Sequence, residues 1–524
     1  MSFTLATGAV VTIPASAAPA PVAVKPSPGS PGIGDRLYPR LGNGGYDVRH
    51  YALDVRYPTK NPKQTVTGNV LISATATQAL SSFDLDFSGR SVGSVAVNGR
   101  VARWSWLKGE LKVTPRFALR AGSAFTVKVA GFTATPTVPG KGALLDAPFF
   151  STPDGSALAG QPDGAHRYFP SNDHPRDKAT YSFSILAPKG WIAVANGVLT
   201  GSAAAGGGTR WRYVQRQPMA SELTQIAVGD FRLTNWGSSD GVVLRDVTPR
   251  RLTAALHPRL AVEASQLNWM RSRVGLYPFD TYGSLVVDSP LGFALETQTL
   301  SLYTADFFTR KVPDAALNPI LLHELSHQWF GNSVSPSSWS DVWQNEGHAT
   351  WYELTYAQDQ DYLPKVYGAK DLDDLMRQVY AASDSLRAQY GPVARPIGGS
   401  TGALFNPNVY YGGALALYAL RQEIGTAAFD QLERQWIARN RGASRSTDDF
   451  IALASKVSAK DLRTFLIAWL YGTRTPPMPG HPEWTVTPVP HTTAATRRVA
   501  AARANAASPF TRRLATRIAL IQTR

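Results

Sequence analysis

His323-Glu324-Leu325-Ser326-His327, followed later by Glu346, is the stretch on which the reading of this chain turns. Four residues along an α-helix advance about 400°, so the two imidazoles leave one face roughly 6 Å apart, close enough to share one ion. A catalytic zinc site needs three protein ligands and an open corner, and Glu346 can bring the third ligand from the next helix. Glu324 follows His323 in the chain but points about 100° away around the helix, which sets it beside the open corner and off the metal. There a carboxylate can act as general base, taking a proton from the water that the ion acidifies and returning it to the leaving amine. With 9 His and 38 Asp plus Glu in 524 residues, composition alone gives only about 0.01 such matches, so a chance pattern on a structural helix is the weaker reading. The chain has no cysteine, which excludes thiolate ligands and a disulfide framework and leaves His, Asp and Glu as donors. The expectation is one zinc ion per chain.

Working outward, Asn318-Pro319 reads as a cap with a first-turn proline and Gly331 as a stop, which predicts a helix over 320–330. A second helix is predicted from Glu346 through Tyr356. Another runs from Leu260 to Val274, followed by a short β-like Ser284 to Val287. Ser446-Thr447 with Asp448 and Asp449 opens a further helix, and Phe465 and Trp469 belong to an apolar helical stripe. Before about residue 250 the period is two. Tyr51, Leu53, Val55 and Tyr57 alternate with Ala52, Asp54 and Arg56, and Phe83, Leu85 and Phe87 enclose Asp84 and Asp86. Asn98-Gly99 and Asn196-Gly197 read as hairpin turns. The pattern therefore predicts a multidomain chain. A leader and Pro/Gly-rich linker over 1–45 precedes an antiparallel β domain over 46–245. An α+β, mostly helical catalytic domain over 246–485 follows, and then a basic, disordered tail over 486–524.

Composition is that of a globular protein, 44% apolar and 17% charged. The net charge of +15 raises a nucleic-acid reading, but seven arginines (Arg497, Arg498, Arg503, Arg512, Arg513, Arg517, Arg524) and no acid follow Thr487, so nearly half of it is terminal. A solvated end is the simpler account, and no nucleic-acid partner is read from it. No stretch is long and apolar enough for a membrane span. Phe3 to Ile13 is mostly apolar, and Ala15-Ser16-Ala17 resembles a small-residue cleavage site. This predicts an exported, secreted protein. Because no Lys or Arg precedes Lys25, a cytoplasmic protein with a loose leader is the alternative.

The run from His323 through Asn332, with Asp341-Val342-Trp343-Gln344-Asn345-Glu346-Gly347, resembles the M1 family of zinc metallopeptidases (aminopeptidase N, gluzincin). The likeness extends from Tyr46-Asp47-Val48 through Phe169-Pro170-Ser171-Asn172-Asp173-His174-Pro175 to Trp469. The resemblance implies a β-saddle-like N-terminal domain, a thermolysin-like catalytic domain with the metal in the cleft between them, and hydrolysis of the N-terminal bond of peptides with a free amine. It implies that Glu296, in Gly292-Phe293-Ala294-Leu295-Glu296-Thr297-Gln298, grips the substrate's α-ammonium. Without the resemblance Glu296 reads as a surface acid. It also implies that Tyr410, in Val409-Tyr410-Tyr411-Gly412-Gly413-Ala414, donates to the tetrahedral oxyanion, where otherwise either tyrosine reads as packing. Gln161 resembles the family's glutamine lining the amine pocket. The chain departs from the family at Phe293, where glycine is common, at Gly412, where lysine is usual, and at His348, which stands where Phe is common and reads as a local pocket or surface residue. Only weakly patterned sequence follows Pro479, so the helical C-terminal domain of longer members is not read here and a more open substrate channel is expected. Three rivals stand beside the aminopeptidase reading: a zinc endopeptidase, a member whose pocket serves an unusual amide or epoxide, and an inactive metal-binding protein.

Overall fold

The computed structural model describes residues 25–107, 109–138, 147–291, 293–309, 312–398 and 400–488. The apolar leader stretch, the arginine-bearing part of the tail, and Gly292 lie outside the described residues. Alternating sequence becomes strand as predicted. Tyr46–Arg56, Val66–Ala76 and Ala124–Ala134 form the middle of an eight-stranded sheet, with inward residues such as Tyr51, Leu53, Val70 and Val127 fully buried. Two four-stranded sheets complete this β-rich half, one built on Leu80–Asp86 and Glu110–Thr114, the other on Gly155–Leu158 and Ile226–Gly229. In the eight-stranded sheet one pairing is parallel, Tyr46–Arg56 against Ala179–Pro188. The long connection between these strands permits it, so the half is mixed, not purely antiparallel. Asn98-Gly99 is the predicted hairpin turn, with both residues at positive φ.

Asn196-Gly197 is not a hairpin. The strands on either side belong to different sheets, Ile192–Ala195 pairing with Ile226–Gly229 and Val198–Ala205 with Gly208–Met219. The turn is a corner that reaches across to the other domain. Asn196 Nδ2 donates to the carbonyls of Leu223 at 3.0 Å and Gln298 at 2.6 Å, and the Gly197 N–H donates to Thr299 Oγ1 at 2.8 Å.

The boundary expected at 245 also moves. Phe231–Ser239 and Val242–Pro249 join Ser284–Val287 and Ser301–Thr304 in a five-stranded sheet that belongs to the helical half. Its two faces feed two separate cores. Val242, Leu244, Val286 and Tyr303 pack with the helices, while Val247, Leu285, Val287 and Leu302 pack with the N-terminal sheets. This sheet is therefore buried on both sides, which period-two reading cannot distinguish from a half-buried strand.

Nor is the whole 1–45 segment a leader and free linker. Its described part crosses both halves. Ser27–Pro28 pairs with Leu80–Asp86, Asn43 Nδ2 donates to Asp86 at 3.1 Å, Asp35 accepts from the Trp339 N–H at 2.8 Å, and Arg36 donates to the Pro396 carbonyl at 2.8 Å. Among the described residues no helix is long and apolar enough to cross a membrane.

Candidate metal centre

The first histidine sits in the helix Asp314–Ser326, and His327 forms its C-terminal cap. The helix begins earlier than the Asn318-Pro319 signal implied. It starts after extended Pro313 and carries Pro319 inside, at the cost of one backbone hydrogen bond that the buried face offsets. The next helix, Trp343–Asp359, packs against it with Glu346 in its first turn, where the helix N-terminus favours a carboxylate.

His323 Nε2 and His327 Nε2 each lie 3.4 Å from Glu346 Oε2. Ligands at about 2.1 Å from a tetrahedral zinc stand roughly 3.4 Å from one another, which is the separation of each imidazole nitrogen from the carboxylate oxygen. The tautomers are set from behind. His323 Nδ1 donates to Glu353 Oε2 at 2.9 Å, and His327 Nδ1 donates to the Phe330 carbonyl at 3.1 Å, leaving both Nε2 atoms free to ligate. His323 Nε2 and Glu346 Oε2 are fully buried and have no hydrogen-bond partner among the described residues. Orphaned buried donors and acceptors of this kind are costly unless an ion takes them up.

The electrostatics agree. Burial opposes charge on His323, yet the neighbouring carboxylates of Glu346 and Glu353 raise it to about 10. Burial likewise opposes charge on His327, which Glu296 and Glu346 raise to about 9. Against its own burial, Glu346 is held at about 2 by the two imidazoles. The pocket is built to hold positive charge. Glu324 differs, since burial first, and then Glu296 and Glu346, push it up to about 8 despite the imidazoles. A carboxylate so poised is a better base than a free one.

Glu296 and Glu324 converge on His327, with one donor atom from each lying within 4.8 Å of the others. Glu296 is held at both ends. Gln161 Nε2 donates to its Oε1 at 2.7 Å, and its backbone carbonyl accepts from Asn332 Nδ2 at 2.6 Å and Gln328 Nε2 at 3.3 Å. Only 3% of it is exposed, so it is not a surface acid. Tyr410 lies in a π turn over Asn408–Gly412, an irregularity common at functional sites. Its ring stacks on His323 with centroids 5.9 Å apart and planes at 12°. Burial, reinforced by Glu346, Glu296 and Glu324, pushes its phenol well above the usual range, so the hydroxyl stays a donor.

Glycines set this distance. The Cβ of an alanine at 347 would stand 3.0 Å from Gly413 Cα, and one at 413 would stand 2.8 Å from Gly347 Cα, so the Glu346 helix and the Tyr410 turn touch backbone to backbone. Gly412, in place of the family's lysine, has its Cβ space filled by the Asn408 side chain. Phe293 is buried with the N-terminal core. His348 is fully buried, stacked on Phe330 with centroids 4.4 Å apart, its Nδ1 donating to the Gln344 carbonyl at 2.7 Å.

Sequence reasoning missed three contributors. Glu353 stands two helical turns after Glu346, so the same-face spacing was there to find. Lys178 and Asn332 were not separable from motif background. Lys178 Nζ donates to the carbonyls of Asn332 at 2.7 Å and Ser333 at 2.9 Å.

The peptidase family M1 domain matches residues 259–469. Aminopeptidase N of Streptomyces lividans is 26% identical over 323 residues, which cover 58% of this chain and 36% of that protein. Aminopeptidase 2 of Candida albicans is 24% identical over 320 residues, covering 59% and 34%. The chain thus spans about a third of the length of these curated relatives. Among solved structures, the M1 zinc metallopeptidase of Deinococcus radiodurans superposes with a TM-score of 0.73 at 27% identity, covering 86% of this chain and 99% of that one. A mutant form bound to a Tyr-Ser-Ala substrate gives 0.72 at 28% identity, covering 86% and 100%. Helical domain, ligand set and two-domain architecture converge on the M1 zinc metallopeptidases, and residues 259–469 of this chain form a peptidase family M1 domain.

Proposed function

We propose that the protein is a zinc-dependent aminopeptidase that removes the N-terminal residue of peptides with a free amine. The observation that carries the reading is the position of Glu296: a buried carboxylate, held by Gln161 on its side chain and by Asn332 and Gln328 on its backbone, within the same few ångströms as His327 and Glu324. A fixed carboxylate there compensates the desolvation of an α-ammonium and sets the first peptide bond over the metal ligands. An endopeptidase has no use for it, since an internal residue brings no charge to that spot.

His323, His327 and Glu346 hold the ion, which when bound supplies Lewis-acid polarisation of a carbonyl and of water. Glu324 takes a proton from the attacking water and delivers it to the departing amine. Tyr410 donates its hydroxyl hydrogen to the oxygen on which negative charge develops, an interaction worth roughly 3 kcal/mol in comparable sites.

The test is a panel of aminoacyl reporter substrates, each with its amine free and acetylated, with and without chelator. Turnover is expected only with free amines. It should vanish on chelation and return with zinc. Glu324→Gln should keep stoichiometric zinc and lose about 10²- to 10⁴-fold in kcat. Equal rates on acetylated substrates would make the protein an endopeptidase, and no turnover on any substrate by the zinc-loaded protein would make it a binding protein.

A further inference from the structure

The rim where two sheets of the N-terminal domain end carries a second surface, away from the metal ligands in the chain. Arg100–Val101 is the last strand of the eight-stranded sheet, and Arg103–Leu107 is the outer strand of the sheet that contains Leu80–Asp86. Buried Ala102 joins them. Four of the ten large apolar side chains exposed among the described residues fall here: Val101 at 82%, Trp104 at 38%, Leu107 at 70% and Phe117 at 63%. Val101, Trp104 and Phe117 fall near where the two edges meet, whereas Leu107, opposite Glu110, stands at the far end of the hairpin in which Arg103 faces Thr114.

The charge is as uneven. Between Asn98 and Arg120 the sequence has Arg100, Arg103, Lys108, Lys112, Arg116 and Arg120 against the single acid Glu110. Arg100, Arg103, Arg116 and Arg120 are exposed and form no ion pair among the described residues. Instead the guanidinium carbons of Arg100 and Arg116 lie 5.7 and 5.6 Å from the centroid of the Phe117 ring. Basic side chains on an open sheet edge usually guard it against pairing with another strand. Guarding accounts for the arginines, but not for exposed Phe117 and Val101, which make an edge more adhesive. A second copy of the chain would bring arginine against arginine. A soluble polyanion would use the arginines and gain nothing from the apolar side chains.

We propose that this rim is a peripheral docking surface for an anionic lipid bilayer. Phe117, Val101 and Trp104 enter the boundary between headgroups and acyl chains, and Arg100, Arg103 and Arg116 pair with the phosphates around them. Exposed apolar side chains with guanidinium groups on either side of Phe117 have the composition of an interfacial anchor, and anionic lipid attracts each such cation near its surface. The attachment leaves the chain outside the hydrocarbon and reversible by salt.

The full-length protein is tested by co-sedimentation with vesicles of phosphatidylcholine alone and of phosphatidylcholine containing about one third phosphatidylglycerol. Binding is expected only to the second, falling as salt rises. The triple variant Arg100→Glu/Arg103→Glu/Arg116→Glu should lose about 100-fold in affinity or more. Val101→Ser/Phe117→Ser changes exposed side chains only, so it should keep the fold by circular dichroism and lose binding while leaving all basic residues in place, including the terminal arginines. Wild-type binding by the serine variant would overturn the proposal, because charge elsewhere would then hold the vesicle. So would equal retention of wild-type and serine-variant protein on soluble polyphosphate with no vesicle binding, which would make the rim a polyanion site.

Discussion

Glu353 shows how much of a metal centre is decided one layer behind the ligands. It accepts from His323 Nδ1 at 2.9 Å and also from the Tyr367 hydroxyl at 2.6 Å, so the imidazole is fixed in rotation and tautomer before any ion arrives. Glu353→Ala should weaken zinc binding about 10- to 100-fold, read by competition with a chromophoric chelator. An unchanged affinity would mean that the helix alone orients the ring. At this scale the sequence was most legible where chemistry fixes spacing: His323, His327 and Glu346 meet as their positions on two helices require. Glu296, Tyr410 and Gln161 could be found only through family likeness, since nothing local marks a glutamate or tyrosine whose neighbours come from distant parts of the chain. His348 was misjudged as a pocket or surface residue because histidine is polar. In the fold it is a flat ring stacked on Phe330, with one nitrogen satisfied by the Gln344 carbonyl.

Among the elements, the helix Trp343–Asp359 and the π turn at Asn408–Gly412 matter most, since one carries a metal ligand and the other the phenol. Their separation is set by Gly347 against Gly413. Gly347→Ala would add up to about 1 kcal/mol of helix propensity, but its Cβ meets backbone, which cannot give way as a side chain can. Overpacking of about 1–3 kcal/mol therefore wins. Urea denaturation should show a net loss of about 1–2 kcal/mol, and kcat should fall while zinc content is retained. A variant as stable and active as the parent would show that the two elements can part without consequence. The Asn318-Pro319 and Gly331 signals placed a helix at the two histidines, though it ends at Ser326 and not at 330, and Glu346 lies in the second helix as predicted. Their starts were less legible because Pro319 lies in a helix interior that the buried face sustains, where sequence rules place proline in the first turn. Asn196-Gly197 had the chemistry of a hairpin turn and the function of a corner, because turn residues specify a change of direction and not which strand lies beyond it.

Across the whole molecule, the two halves meet through a shared sheet and a buried lysine. Lys178, reaching the carbonyls of Asn332 and Ser333, is brought down to about 7 by burial against the pull of Glu222. Burial, followed by Asp173 and Glu296, raises Glu222 to about 8. Between the ordinary 4.5 of an unfolded glutamate and about 8, the native protein keeps a proton that the unfolded chain releases, so stability falls as pH rises through that window. Lys178 acts oppositely between about 7 and 10.5, where the unfolded chain keeps the proton and stability rises with pH. The pair's contribution is therefore least favourable near pH 7 to 8. Thermal melts of Glu222→Gln should show a gain over the parent that grows from pH 5 to pH 8, reaching a few kcal/mol. An equal difference at both pH values would assign the effect to packing. The order of a β domain before a helical one was legible from the change of period. The boundary was not, because Val242–Pro249 alternates like any strand before it and only long-range pairing reveals its sheet. The segment that crosses both halves adds a matter of timing. Arg36 leaves the ribosome early, but the Pro396 carbonyl it binds is 360 residues further on, about 20 to 70 seconds of synthesis at usual rates. A nascent chain can therefore pair Ser27–Pro28 with Leu80–Asp86 early but leaves Arg36 without this partner until Pro396 has been made, and the stitch that joins the halves can be drawn tight only then.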